Sequence, residues 1–233
     1  IYETEAGFTL VQDILYDALP YKPHDYTIWG IVAALDGNDL VAVTPTGSGK
    51  TTFLLGMTLA LRELAAHPDK CLSNRTFPKN PLLLCVSPTL ALQRETCKRF
   101  TDLKIDCLVI NSDTLSEAAK VNQNLWEVAA EGPSVIVLSP EQLRTEGFDA
   151  LQAKIAFNKR LCVLGIDELH LLFHWGKALR PSFVHIGQAR FRLRPRDGRP
   201  LPLIGLSASV HAGKPWETIR DSLGLQSPTF RLI

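Results

Sequence analysis

The sequence predicts a three-layer α/β/α domain built on a mostly parallel sheet, and three observations predict it. Six short runs rich in leucine or β-branched residues, at 40–43, 82–86, 107–110, 135–138, 161–166 and 203–206, are apolar without strict alternation. Strands buried on both faces have this pattern. The runs are separated by helix-like stretches of roughly 10 to 15 residues, the length expected for crossovers between parallel strands. Finally, 233 residues with 45% apolar side chains can supply a core on both sides of one sheet.

The run at 40–43 leads through a glycine-containing loop into a helical pattern at 52–66. Residues 67–80, with Pro68, Asn74, Pro78 and Asn80, predict a surface loop before the run at 82–86. After 107–110, Ser112 and Asp113 give a start signal for one helix over 114–130. After 203–206, Gly213 and Pro215 open a helix that ends at Leu223 before Gly224. No repeat or low-complexity tract interrupts this order, and one domain is the economical reading.

A net charge of +1 argues against binding to nucleic acid through bulk charge, so such contact would need a local basic patch. Five cysteines, without a Cys-x-x-Cys pair, read as reduced intracellular thiols. No apolar run approaches the ~20 residues that span a bilayer, so no membrane partner is expected. The chain starts at Ile1 without a methionine, which suggests a piece of a longer polypeptide.

The loop after 40–43 reads Thr44, Pro45, Thr46, Gly47, Ser48, Gly49, Lys50, Thr51. Strand, glycine loop and helix in this order make a phosphate cradle. Gly47 and Gly49 let successive N–H groups face inward, the helix start adds a positive dipole end, and Lys50 can reach the outer phosphates. Thr46 and Ser48 complete the loop around the phosphates, and Thr51 offers a hydroxyl to Mg²⁺. Thr44 stands where the strict pattern has glycine. The plain alternative is a flexible turn ending in a solvated lysine.

A second motif favours the cradle. Asp167, Glu168, Leu169 and His170 follow the buried run 161–166, placing two carboxylates at a strand end. Alone, such a pair is usually a helix cap. With Lys50 and Thr51 it makes an ATP site: Asp167 for Mg²⁺, and Glu168 to orient and deprotonate the water that attacks the γ-phosphate. His170 is placed to couple the site to Ser207 and Ser209, whose hydroxyls could bond the imidazole; ordinary turn residues are the alternative there.

Together these segments resemble the RecQ family of superfamily-two helicases over nearly the whole chain. Asp167-Glu168-Leu169-His170 is similar to the family's Asp-Glu-x-His box, and Ser207-Ala208-Ser209 to its Ser/Thr-Ala-Thr segment. Ser87-Pro88-Thr89 with Gln93, and Ser139-Pro140-Glu141-Gln142-Leu143, resemble its DNA-contacting motifs. Trp175, Gly176, Arg180, Pro181 and Phe183 resemble the aromatic-rich loop that couples DNA contact to hydrolysis. There Trp175 would offer a stacking face and Arg180 a cation to single-stranded DNA, unless Trp175 packs in its own helix. Leu171, His174, Lys177, Ala178 and Leu179 depart from the family loop.

Tyr21-Lys22-Pro23-His24-Asp25 is similar to the segment that reads adenine, but Asp25 occupies the glutamine position. An ionised carboxylate accepts hydrogen bonds and cannot donate. Weaker adenine reading is therefore expected, with Lys22 stacking on the base; Asp25 as a helix cap is the alternative. Arg190, Arg192, Arg194, Arg196 and Arg199 form a basic stripe that reads first as a solvated face and second as a nucleic-acid contact.

The resemblance implies a RecA-like phosphate-loop NTPase domain over residues 1–233. It also implies ATP and Mg²⁺ as ligands, 3′-to-5′ movement on single-stranded or tailed duplex DNA, and a nuclear or nucleoid setting. The second RecA-like domain such motors need is expected elsewhere in the full-length protein. A phosphate-loop kinase or small GTPase would lack the Asp-Glu-x-His box. A nucleotide-binding module with little unwinding and an RNA-directed superfamily-two relative stay open.

Overall fold

The computed structural model describes residues 1–45, 47–72, 76–170, 184–193, 201–209, 213–225 and 230–233. Two helices, α1 (Glu5–Ala18) and α2 (Asp25–Leu35), precede β1 (Asp39–Val43), and α3 (Thr51–Ala66) leads to β2 (Leu82–Val86). Next come α4 (Leu90–Asp102), β3 (Cys107–Ile110), α5 (Ser112–Lys120), α6 (Leu125–Glu131) and β4 (Val135–Leu138). They are followed by α7 (Glu146–Ala153), α8 (Ile155–Arg160) and β5 (Leu161–Ile166). The last described elements are α9 (Val184–Arg192), β6 (Leu203–Ser207), α10 (Lys214–Leu223) and β7 (Phe230–Leu232).

The seven strands form one sheet in the order β3-β4-β2-β5-β6-β1-β7, and every pairing is parallel. Alternate residues of each strand supply two cores, because successive side chains point to opposite faces. On β2, Leu83 and Cys85 pack with α1–α4, while Leu82, Leu84 and Val86 pack with helices from α5 onward. The three-layer architecture is therefore the one the apolar runs predict, with parallel pairing complete. All five cysteines are free. Among the described residues, no helix is long and apolar enough to cross a membrane.

The single helix expected over 114–130 is two helices. Asn111, not Ser112, caps α5: its side chain accepts from the Thr114 N–H while the Thr114 hydroxyl accepts from the Asn111 N–H. Asn122 then adopts a left-handed φ of 55°. Its N–H bonds Ala119 O at 3.2 Å and that of Gln123 bonds Ala118 O at 2.9 Å, closing the helix end. Asn124 caps α6 through the Trp126 N–H. The predicted loop at 67–80 contains a short 3-10 turn at Pro68–Lys70.

Two buried arginines pin the layers. Arg160 donates to Asn80 O at 2.9 Å, to Ala130 O at 3.1 Å and to Pro133 O. Arg190, on α9, holds Asp39 at the start of β1 with contacts of 2.6 and 2.8 Å, and Asp39 also accepts from the Leu203 N–H. The stripe reading is thereby corrected at Arg190, while Arg192 remains on an exposed face. Arg190 is buried and paired, and Arg192 is engaged by Asp149 at 2.8 Å and by Leu143 O at 3.0 Å. Arg194, Arg196 and Arg199 lie outside the described residues.

Candidate nucleotide-binding site

The loop after β1 bends where its glycines allow. Gly47 and Gly49 have φ of 85° and 82°, a region that side chains with a Cβ rarely adopt. Lys50 occupies the cap position of α3 and provides no side-chain cap, so the positive end of that helix stays open to an anion. The Lys50 ammonium donates to Thr44 O at 3.3 Å, folding over the loop. Thr44 directs a buried hydroxyl at no partner. Thr46 lies outside the described residues.

Sheet order explains how distant motifs meet. β6 lies between β1 and β5, so the ends of β1 and β5 are two strand spacings apart, about 10 Å. Side chains leaning inward from both ends can share a ligand of triphosphate size. Gly47, Gly49, Lys50 and Thr51 line the same cavity, of about 210 Å³, as Asp167 and Glu168. The lysine-tipped loop and the acidic pair thus face one space at the carboxyl edge of the sheet, where open α/β folds bind ligands.

Asp167 ends β5 with its N–H on Val86 O at 2.9 Å, and its carboxylate accepts from the Glu168 N–H at 3.0 Å. Burial pushes its pKa up, to about 6, with the Glu168 charge adding to the rise. The Glu168 N–H and the Lys50 charge act in the opposite direction. Glu168 itself has φ of 51°, a left-handed conformation costly for a residue with a Cβ, which turns the chain sharply after Asp167. Its Oε2 is buried without a hydrogen-bond partner, although His170 Nδ1 lies 3.2 Å away out of line.

His170 Nδ1 is also 3.2 Å from Ser207 Oγ. The Ser207 hydroxyl donates to Ser209 O at 2.6 Å, so toward the imidazole it accepts, which assigns the proton to Nδ1. The expected pairing of His170 with Ser207 is present. The expectation for Ser209 is corrected: its carbonyl, and not its hydroxyl, enters the chain of bonds, because the backbone turns after β6. Thr44 N–H bonds Ser207 O at 3.1 Å and Leu169 N–H bonds Leu206 O at 2.7 Å, so the end of β6 is tied to both motifs.

In the segment expected to read adenine, the Tyr21 hydroxyl meets Thr52 Oγ1 at 3.0 Å, joining that segment to α3. Lys22 is exposed, with its ammonium 5.1 Å over the Tyr16 ring. Asp25 is the first residue of α2, where its charge complements the helix dipole. That is a helix-start position, although His24 holds the cap site.

Two nucleic-acid expectations are corrected. Gln93 is fully buried: its amide donates to Ser87 O at 2.9 Å and accepts from Asn111 at 2.8 Å. Pro140 is buried at the head of a 3-10 turn. Neither is exposed in this structure, and Gln93 joins the end of β2 to the residue after β3. Thr89 caps α4 through the Leu92 N–H at 3.3 Å. Trp175 and Arg180 lie outside the described residues. Four cavity residues were not foreseen: Leu92, Glu95, Thr96 and Arg99 of α4. Their three- and four-residue spacing after the Ser-Pro-Thr segment marks one helix face.

The fold and this cavity define the chain as a RecA-like phosphate-loop domain. The profile of the DEAD/DEAH box helicases matches residues 29–215, and the chain belongs to that family. It is 26% identical over 157 residues to an ATP-dependent DNA helicase RecQ of Haemophilus influenzae, covering 67% of this chain and 22% of the relative. To the RecQ of Synechocystis it is 25% identical over 190 residues, covering 82% and 35%. An ATP-dependent RNA helicase of Dictyostelium discoideum is 29% identical over 178 residues, covering 74% and 14%. The chain therefore spans about a third or less of these relatives. In structure it resembles the DUF1998 helicase MrfA solved with DNA and AMPPNP, at a TM-score of 0.68 and 18% identity, covering 99% of this chain and 29% of that one.

Proposed function

We propose that the chain is the ATP-binding RecA-like domain of a RecQ-like, 3′-to-5′ DNA helicase. The observation that carries this reading is the single cavity shared by Lys50, Thr51, Asp167 and Glu168. Its groups suit a magnesium nucleotide: the uncapped start of α3 and an ammonium for phosphate, and a hydroxyl and a carboxylate as hard oxygen ligands. Thr51 and Asp167 would hold Mg²⁺, which when bound offsets charge on the phosphate oxygens. Gly47, Ser48 and Gly49, with Thr46, cradle the phosphates. Lys22 and Asp25 lie on the side proposed for adenine, with Asp25 accepting from its amino group.

Glu168 Oε2, buried without a hydrogen-bond partner, is free to accept a proton from a water aimed at the γ-phosphate. His170 and Ser207 would carry the state of this site to β6. Trp175, Arg180 and Thr89 are proposed for DNA contact; Gln93 and Pro140 act by positioning. A second RecA-like domain of the full-length protein would supply the arginine that such sites need, worth ~10³ to 10⁵ in rate. Residues 1–233 alone should then hydrolyse ATP slowly and unwind nothing. DNA repair or recombination in a nucleus is the setting this reading suggests.

DNA-stimulated ATPase of the full-length protein tests the reading. Lys50→Ala should abolish nucleotide binding. Glu168→Gln should keep it while lowering turnover by about 10² to 10⁴. The similarity to an RNA helicase supports a second reading, so single-stranded RNA belongs in the same assay. Stimulation by RNA and not DNA would replace the first reading with the second.

A further inference from the structure

The face of α4 that lines the cavity carries one ion pair with no part in the site described so far. Arg99 Nη2 lies 2.7 Å from Glu95 Oε1, an i,i+4 pair whose side chains are 46% and 57% exposed. Both residues, with Leu92 and Thr96, form the wall facing the phosphate loop. The pair stands on the acidic side of the cavity, because the Glu95 charge is felt at Asp167.

Such a half-exposed helical pair contributes little in water, so little holds Arg99 to Glu95. Among the cavity residues, three carboxylates, Glu95, Asp167 and Glu168, face two cations, Lys50 and Arg99. Lys50 belongs to the loop wall, which leaves Arg99 as the cation of the opposite wall. A phosphate entering beside Asp167 brings negative charge next to Glu95, repelling it, and gives the planar guanidinium an acceptor it matches in two-point fashion. A terminal phosphate that meets that wall is the group a diphosphate lacks.

We propose that Arg99 recognises the γ-phosphate from within the same domain, exchanging Glu95 for it when a triphosphate binds. This rests on the nucleotide-site reading above. The guanidinium then distinguishes triphosphate from diphosphate. Because α4 also carries Gln93, bonded to Ser87 and Asn111, the exchange pulls on the strand ends proposed to support DNA contact.

Calorimetric binding of a non-hydrolysable ATP analogue and of ADP, each with Mg²⁺, tests the exchange. The proteins compared are wild type, Arg99→Ala, Arg99→Lys, Glu95→Gln and Lys50→Ala. Arg99→Ala should lower affinity for the triphosphate analogue about tenfold or more, as loss of a charge-assisted hydrogen bond does, and change ADP less than about twofold. Arg99→Lys should fall between, keeping the charge without the planar fork. Glu95→Gln, which removes the competing negative charge and does not depend on the Arg99 variants folding, should tighten the analogue several-fold.

Equal weakening of both nucleotides by Arg99→Ala, no weakening of either, or looser analogue binding in Glu95→Gln overturns the proposal. If Lys50→Ala abolishes both nucleotides while Arg99→Ala leaves their ratio unchanged, the nucleotide site stands and the role of Arg99 falls. Failure of the wild-type protein to bind either nucleotide sinks both.

Discussion

Replacing Asp167 by asparagine should make the nucleotide-free protein more stable and remove the carboxylate proposed to hold Mg²⁺. The carboxyl is raised from 3.8 to about 6, chiefly by burial, so its ionised form is disfavoured in the folded state. Between those values the folded protein binds the extra proton, and stability falls as pH rises through the window. Above pH 6 the deficit is complete, at roughly 3 kcal/mol. Asparagine keeps an oxygen that can accept from the Glu168 N–H and carries no charge. If half of the deficit is recovered, Tm rises by about 3 to 6 °C for a domain of this size. Thermal denaturation of wild type and Asp167→Asn at pH 8 and pH 4, without nucleotide, measures it. The variant should be the more stable at pH 8, and the difference should shrink at pH 4, where wild type is protonated in the folded state. A variant no more stable at pH 8, or a gain equal at both pH values, would refute the reasoning. Titration of Mg²⁺ with the ATP analogue should show the matching loss of metal dependence, and wild-type affinity should decline as pH drops below about 6.

Other perturbations bear on separate parts of the structure. Ser207→Ala removes the acceptor for His170 and should lower DNA-stimulated ATPase several-fold with nucleotide affinity unchanged; equal stimulation in wild type and variant would count against coupling through β6. Arg160→Ala strands three backbone carbonyls and should cost about 3 kcal/mol in urea denaturation, with unchanged m-value. Gly49→Ala places a Cβ at a φ of 82°, 3.3 Å from Thr52 Oγ1, and should cost ~1–2 kcal/mol while weakening both ATP and ADP. Calorimetry on the variant checks both effects.

Much of this architecture is legible in the chain because its strands are buried on both faces. The runs at 82–86, 107–110, 135–138 and 161–166 coincide with β2, β3, β4 and β5. Where local signals weaken, so does the reading. β7 is three residues with Arg231 at its centre, and pairing with β1 supplies what its sequence lacks. The break between α5 and α6 depends on Asn122 taking a left-handed turn, which an unbroken apolar pattern conceals. At the cavity, the loop and the acidic pair are visible as motifs, since each needs particular residues at fixed spacing. Glu95 and Arg99 have no such mark and gain their place only when α4 packs beside the loop. Gln93 shows the converse: a polar residue in a recognisable segment reads as surface until its neighbours are seen to consume both ends of its amide.

The position of β1 within the sheet has a consequence for how the protein is made. β1 is synthesised well before its two neighbours in the sheet, β6 and β7, and before the Arg190 that holds Asp39. Pairings across such separations close slowly, and strands awaiting partners are prone to association in the meantime. The loop after β1 is therefore translated well before the strands that hold it in place. Between those events nascent chains carry an unfinished strand edge, a period in which chaperones have the most to protect.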